Sequence, residues 1–97
     1  MIHTSTIDDV TSVGLEGNIG VDEVDPLQKA LDAAAGQGAM EVDLSSCRSL
    51  SSSAIGVLIA CHNTLRPKGG RLRVRGANED LRRLLKLMGL DRHFELV

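Results

Sequence analysis

Residues 40–65 read MEVDLSSCRSLSSSAIGVLIACHNTL, and two hydrophobic periods meet inside them. Met40, Val42 and Leu44 alternate with Glu41 and Asp43, the period of two that gives a strand one apolar face. Ser45-Ser46-Cys47-Arg48-Ser49 is polar and reads as a loop. From Ser51 the spacing changes. Ile55, Val57, Leu58, Ile59, Cys61 and Leu65 are too dense for a half-exposed helix, so the segment predicts a mostly buried helix, stopped by Pro67 and the Gly69-Gly70 pair.

The same alternation extends in both directions. Upstream, Ile2 to Ile7 and Val10 to Leu15 predict a hairpin turned at Asp8-Asp9, and Gly14, Gly17 and Gly20 mark a strand end and a loop leading to a helix. Asp25 stands where a cap is expected, with Pro26 in the first turn and Gln28 at capping-box spacing. Leu27, Ala30, Leu31 and Ala34 then share one face, and Gly36 and Gly38 end the helix. Downstream, Arg71, Arg73 and Arg75 alternate with Leu72 and Val74 as a strand with a basic outer face. Asn78, Glu79 and Asp80 open a last helix with Leu81, Leu84, Leu85 and Met88 inside and Arg82, Arg83 and Lys86 outside. Gly89 suits a left-handed cap, Leu90 packs back, and Phe94 to Val97 adds a short strand or covers the core. Strands alternating with helices make this an α/β chain, a small mixed sheet with its helices mainly on one face, forming one domain over residues 1–97.

Composition narrows the function classes. The 97 residues carry Lys+Arg 11 against Asp+Glu 13, a net charge of -2, and 42% hydrophobic residues. That is one core's worth of chain, with no concentrated basic face for phosphates and a single aromatic, Phe94, to stack on a base. Direct nucleic-acid binding is therefore not expected. No apolar run approaches the roughly 20 residues that span a bilayer, and MIHTSTIDDV has no signal-peptide pattern, so no membrane insertion is expected and a cytoplasmic location is. Cys47 and Cys61 are expected to be reduced thiols, Cys61 buried as a small hydrophobe.

No catalytic constellation is legible. His3, His62 and His93 are scattered, nothing brings four zinc ligands together, and His62 reads as a partly exposed helical residue. Gly14, Gly17 and Gly20 lack the GxGxxG order of a phosphate cradle. The chain is thus not expected to be an enzyme or to carry a cofactor or metal. What remains is Ser51-Ser52-Ser53, three hydroxyls at the start of a buried helix. One serine suffices to cap it. A second explanation is phosphorylation, because the amides and dipole of a helix start tolerate a dianion, and about -1.5 to -2 added charges change what docks there. Capping alone and capping with a switch stand equal on the residues themselves.

Glu41-Val42-Asp43-Leu44-Ser45 followed by Leu50-Ser51-Ser52-Ser53-Ala54-Ile55-Gly56-Val57-Leu58 resembles the central signature of STAS domains, the anti-sigma-factor antagonists. Gly69-Gly70-Arg71-Leu72-Arg73-Val74 is similar to that family's Gly-Gly strand. Leu84-Leu85-Lys86-Leu87-Met88-Gly89-Leu90-Asp91 with Phe94 is similar to its closing helix and tail, and Leu15-Glu16-Gly17-Asn18-Ile19 to its Leu-x-Gly-Glu-Leu element. The resemblance spans nearly the whole chain. It implies a phosphoserine position at Ser53, with Ser52 as second choice, and a partner surface of Asn18, Gly20, Asp22, Ser51, Ser52, Ser53 and Ala54. Three positions depart from the pattern: Ser51 and Gly20 stand where the family has aspartates, and Ala54 replaces a glycine.

The implied function is an anti-sigma factor antagonist. Its unmodified form binds an anti-sigma factor that is also a histidine-kinase-like serine kinase, and so frees a sigma factor; the kinase supplies ATP and magnesium. The alternative implied by the same family is a scaffold without a switch, in a stress-sensing complex or as a cytoplasmic subunit of a lipid-transporting ABC system.

Overall fold

The computed structural model describes residues 1–36 and 39–97. Five strands, β1 (Ile2–Ile7), β2 (Val10–Ile19), β3 (Ala39–Leu50), β4 (Arg73–Arg75) and β5 (Glu95–Leu96), lie side by side in sequence order. β1 and β2 are antiparallel; β2, β3, β4 and β5 run parallel, so the sheet is mixed. The helices α1 (Val24–Ala35), α2 (Ser52–Leu65) and α3 (Glu79–Leu87) supply the crossovers that parallel neighbours require. The β1–β2 turn is made by Asp8 and Asp9 at φ 52 and 66. Two consecutive left-handed residues give the turn whose twist matches a two-residue hairpin, and aspartate is among the few side chains that tolerate it.

One face of the sheet is dry. Val13, Leu15 and Ile19 of β2, Met40, Val42 and Leu44 of β3 and Val74 of β4 meet Leu27 and Leu31 of α1, Ile55, Leu58 and Leu65 of α2, and Leu81 and Leu85 of α3 in one core. The other face carries ions. Arg75 donates to Asp43 at 2.7 Å and lies 3.6 Å from Glu41, and His3 pairs with Glu16 at 2.7 Å. This is the inside–outside alternation expected of helices mainly on one face.

Several sequence expectations are corrected. β2 does not end near Leu15 but runs to Ile19, with Gly17 at φ +78 inside it. β3 does not stop at Leu44, and the stretch read as a polar loop is its second half. Between the pairs Gly14↔Asp43 and Glu16↔Ser46, and again between Gly17↔Cys47 and Asn18↔Ser49, β3 advances one residue more than β2. Each bulge shifts the parity, turning Cys47 and then Leu50 into the core. α1 begins at Val24, after a 3-10 turn over Val21–Glu23, and its N-cap is Glu23 without a side-chain bond; Asp25 lies inside the helix and does not cap it. Gly36 is its C-cap, and Gly38 lies outside the described residues. Met88 is 46% exposed and does not belong to the inner stripe of α3. His62 is 5% exposed, not a half-open helical residue. Its Nδ1 accepts the Leu72 amide at 3.3 Å, and its ring meets Phe94 edge-on at 5.6 Å. Burial, helped by His93, Arg66 and Arg71, pushes the His62 pKa below its ordinary value.

Other expectations hold. Asn78 caps α3, its Oδ1 accepting from the Leu81 amide at 2.8 Å. Gly89 is left-handed, Leu90 is buried, and Phe94 is 1% exposed beneath a two-residue β5. Cys47 and Cys61 are both free and buried. Burial, with Asp32 nearby, pushes the Cys61 thiol up to about 11.

Candidate partner-binding site

The site is assembled where β2 and β3 end together and α2 begins. Leu50 enters the core, the chain turns at Ser51, and the Ser51 amide donates to the Ile19 carbonyl at 2.9 Å. That bond closes the end of β2 against the start of α2. A second tie lies beside it, where the Ser49 hydroxyl donates to Asn18 Oδ1 at 2.8 Å. The 3-10 turn over Val21–Glu23 packs on α2 from the other side. The Ser51–Ile19 backbone bond and the Ser49–Asn18 side-chain bond therefore hold the end of β2 beside Ser51, with Asp22 exposed on the adjoining turn.

The three serines are not equivalent. Ser51 is the N-cap at φ -68, ψ 159, and its Oγ accepts the Ala54 amide at 3.1 Å. Ile55 closes the first helical bond on the Ser51 carbonyl. Ser52 and Ser53 are the first two residues of α2; both side chains are exposed, and their amides have no partner among the described residues. α2 has no acidic residue in its first turn. Two unpaired N–H groups at the positive end of a 14-residue helix therefore face solvent with two hydroxyls and no compensating carboxylate. Neither the Ser52 nor the Ser53 hydroxyl is needed to hold the helix.

Ala54 is fully buried, which corrects its place in the expected partner surface. It packs in the core, and its amide is spent on Ser51. Val21 adjoins these residues although no sequence motif marks it. It is 72% exposed on the turn between Gly20 and Asp22, and its only signal was an apolar side chain in the acidic run Val21-Asp22-Glu23-Val24-Asp25. A Cβ built on Gly20 would come within 3.0 Å of Asp22 Oδ1, so the Asp22 carboxylate lies close beside position 20.

The family model described as Mlab, STAS domain matches residues 2–97. The chain belongs to the STAS domain family. The sequence resemblance and the fold expected from it are both borne out: solved STAS-type structures superpose over nearly the whole chain. An anti-sigma factor antagonist from Mycobacterium paratuberculosis is 26% identical with a TM-score of 0.86, covering 99% of this chain and 83% of its own. SpoIIAA, a Bacillus cell fate determinant, in its phosphorylated form is 16% identical with a TM-score of 0.77, covering 100% and 91%. A sulfate transporter family protein from Wolinella succinogenes is 14% identical with a TM-score of 0.72, covering 91% and 73%. No curated protein sequence matches the chain. Among the described residues no helix of this STAS chain is long and apolar enough to cross a membrane.

Proposed function

We propose that this STAS chain is an anti-sigma factor antagonist switched by phosphorylation of Ser53. One observation carries the reading: Ser51 alone does the capping, which leaves the Ser53 hydroxyl exposed beside unpaired first-turn amides with no structural task. Ser52 shares that exposure and is the second choice. The unmodified turn, with Asn18, Gly20, Asp22 and the exposed Val21 beside it, is the surface that receives the partner, an anti-sigma factor that is also a histidine-kinase-like serine kinase. The kinase brings ATP and magnesium, and this chain brings the hydroxyl.

The physics of the switch is local. A phosphoserine carries about -1.5 to -2 charges, which the helix start accommodates without refolding. Bulk and charge appear at the centre of the docking surface, so the partner is released while the fold stands. The likeness to the Mycobacterium paratuberculosis antagonist and to phosphorylated SpoIIAA supports this assignment.

A second reading, a non-switching scaffold in a stress-sensing complex or a cytoplasmic subunit of a lipid-transporting ABC system, is favoured by Ser51 standing where the family has aspartate, which leaves the first turn of α2 without an acid. The test is incubation of the purified chain with the histidine-kinase-like ATPase encoded nearest to it and Mg-ATP. The switch predicts one phosphate on Ser53, none on Ser53→Ala, and weaker kinase binding by Ser53→Asp. Equal binding by all three forms, without phosphate, is the outcome for the scaffold.

A further inference from the structure

The free edge of β1 lacks the devices by which sheet edges are protected. Ile2–Ile7 is a six-residue strand without proline, lysine or a carboxylate, and among the described residues no element covers its outer side. Its hydrogen-bonding phase is fixed by the chain. The Met1 and Glu16 backbones exchange both bonds, each at 2.8 Å, and the Met1↔Glu16 pair continues the register Ile2↔Leu15 to Ile7↔Val10. In an antiparallel ladder bonded and non-bonded pairs alternate. His3, Ser5 and Ile7 therefore bond inward to β2, and Ile2, Thr4 and Thr6 turn their N–H and C=O groups outward.

We infer that this edge pairs with the β1 edge of a second copy of the chain, antiparallel and with Thr4 opposite Thr4 on the two-fold axis. The backbone phase and the Met1–Ile7 match select that register, and the facing of the side chains agrees with it. Bonded pairs must form between outward-facing residues, and Thr4↔Thr4 places Ile2 opposite Thr6, so three residues with two groups each make six backbone hydrogen bonds. A two-fold that joins antiparallel edges keeps both helix layers on one side, which requires paired residues of the same facing. Ile2, Thr4 and Thr6 share the side of buried Leu15, Val13 and Thr11, so the condition is met. Finally, the register sets Met1 against Ile7 on the opposite face. These are two of the large exposed apolar side chains, at 64% and 71%, and each covers the other.

The pairing also avoids a clash. His3, the one titratable side chain in the strand, stands opposite Ser5, and it is already engaged by Glu16. The product is a continuous ten-stranded sheet with one strand of contact per copy, so the dimer is a concentration-dependent one of the small-interface class. A foreign extended peptide could use the same backbone groups, but only a second copy brings both the Met1–Ile7 match and the closing symmetry. The inference is independent of Ser53.

The experiment is sedimentation equilibrium of the full chain over a wide concentration range, with Thr4→Glu, Thr4→Lys and their equimolar mixture. Thr4 bonds nothing in β2, so both variants keep the fold, which circular dichroism verifies. The wild type reaches twice its monomer mass. Each single variant raises the midpoint concentration by at least about tenfold, because like charges meet on the axis, and the mixture restores association as a heterodimer. A chain that is monomeric at every concentration overturns the inference. So does a dimer indifferent to both substitutions, or a mixture that does not recover, since either would remove Thr4 from the axis.

Discussion

Ser51→Ala separates the capping serine from the others. The substitution removes one hydrogen bond, from the Ala54 amide to Ser51 Oγ at 3.1 Å, at a half-buried helix start with no acidic residue to take over the dipole. Loss of such a cap costs about 0.5–2 kcal/mol, typically about 1. For a chain of this size, 1 kcal/mol lowers Tm by roughly 4–8 °C. Ser52→Ala and Ser53→Ala remove exposed hydroxyls that have no partner among the described residues, and stay within about 0.5 kcal/mol of wild type. Ser51→Asp keeps the acceptor and places a carboxylate at the positive end of α2, so it matches or exceeds wild-type stability. Thermal and urea unfolding of the four variants give the ordering directly. A neutral Ser51→Ala, or a Ser53→Ala that loses as much as Ser51→Ala, would refute the division of labour, since the Ser53 hydroxyl would then be structural.

Leu85→Ala, at a fully buried position, costs about 2–5 kcal/mol in urea unfolding, and Met88→Ala, on the exposed side of the same helix, costs little. Gly76→Ala and Gly69→Ala both force alanine into a left-handed site, but a Cβ at Gly76 would sit 2.9 Å from Ser45 Cβ while one at Gly69 meets nothing within 4 Å; Gly76→Ala should unfold at clearly lower urea, and equal losses would contradict the contact. For His62 the folded pKa lies below the unfolded value of about 6.5, so the unfolded chain takes up the proton first. Stability is therefore constant above that value and falls as pH drops from it toward the folded pKa, and His62→Gln flattens the fall in urea midpoints measured across that window. Asp43 is a separate case, below pH 3.8. Burial opposes its ionisation, but the Ser45 hydroxyl and amide and the Arg75 guanidinium outweigh this and hold its carboxyl below the ordinary value, so its contribution disappears only as pH falls through that lowered pKa.

Elements that obey one period were legible in the residues. The alternation of Met40 to Leu44, the apolar density after Ser51, and the Asn78 cap all reach the structure unchanged, because local chemistry and tertiary burial demand the same thing there. The second half of β3 was hidden because two bulges break the period of two, so Ser45 to Ser49 looks polar although Cys47 and Leu50 face inward. His62 misled for a related reason. Its partner, the Leu72 amide, comes from ten residues away, beyond any helical spacing. At the site, sequence singled out the serine run but could not assign the cap, since Ser51, Ser52 and Ser53 differ only by where the helix begins. Val21 and the burial of Ala54 depend on how the 3-10 turn and α2 pack, which no local pattern states.

Whether Ser53 is the switch is tested most directly by intact-mass analysis with fragment-level site mapping on the chain purified from its native host under phosphatase inhibition. A switch at Ser53 gives a single added phosphate on that residue in part of the population, changing in proportion with growth and stress. A chain that stays unmodified under every condition, or carries its phosphate on Ser51 with the helix cap removed, would contradict it.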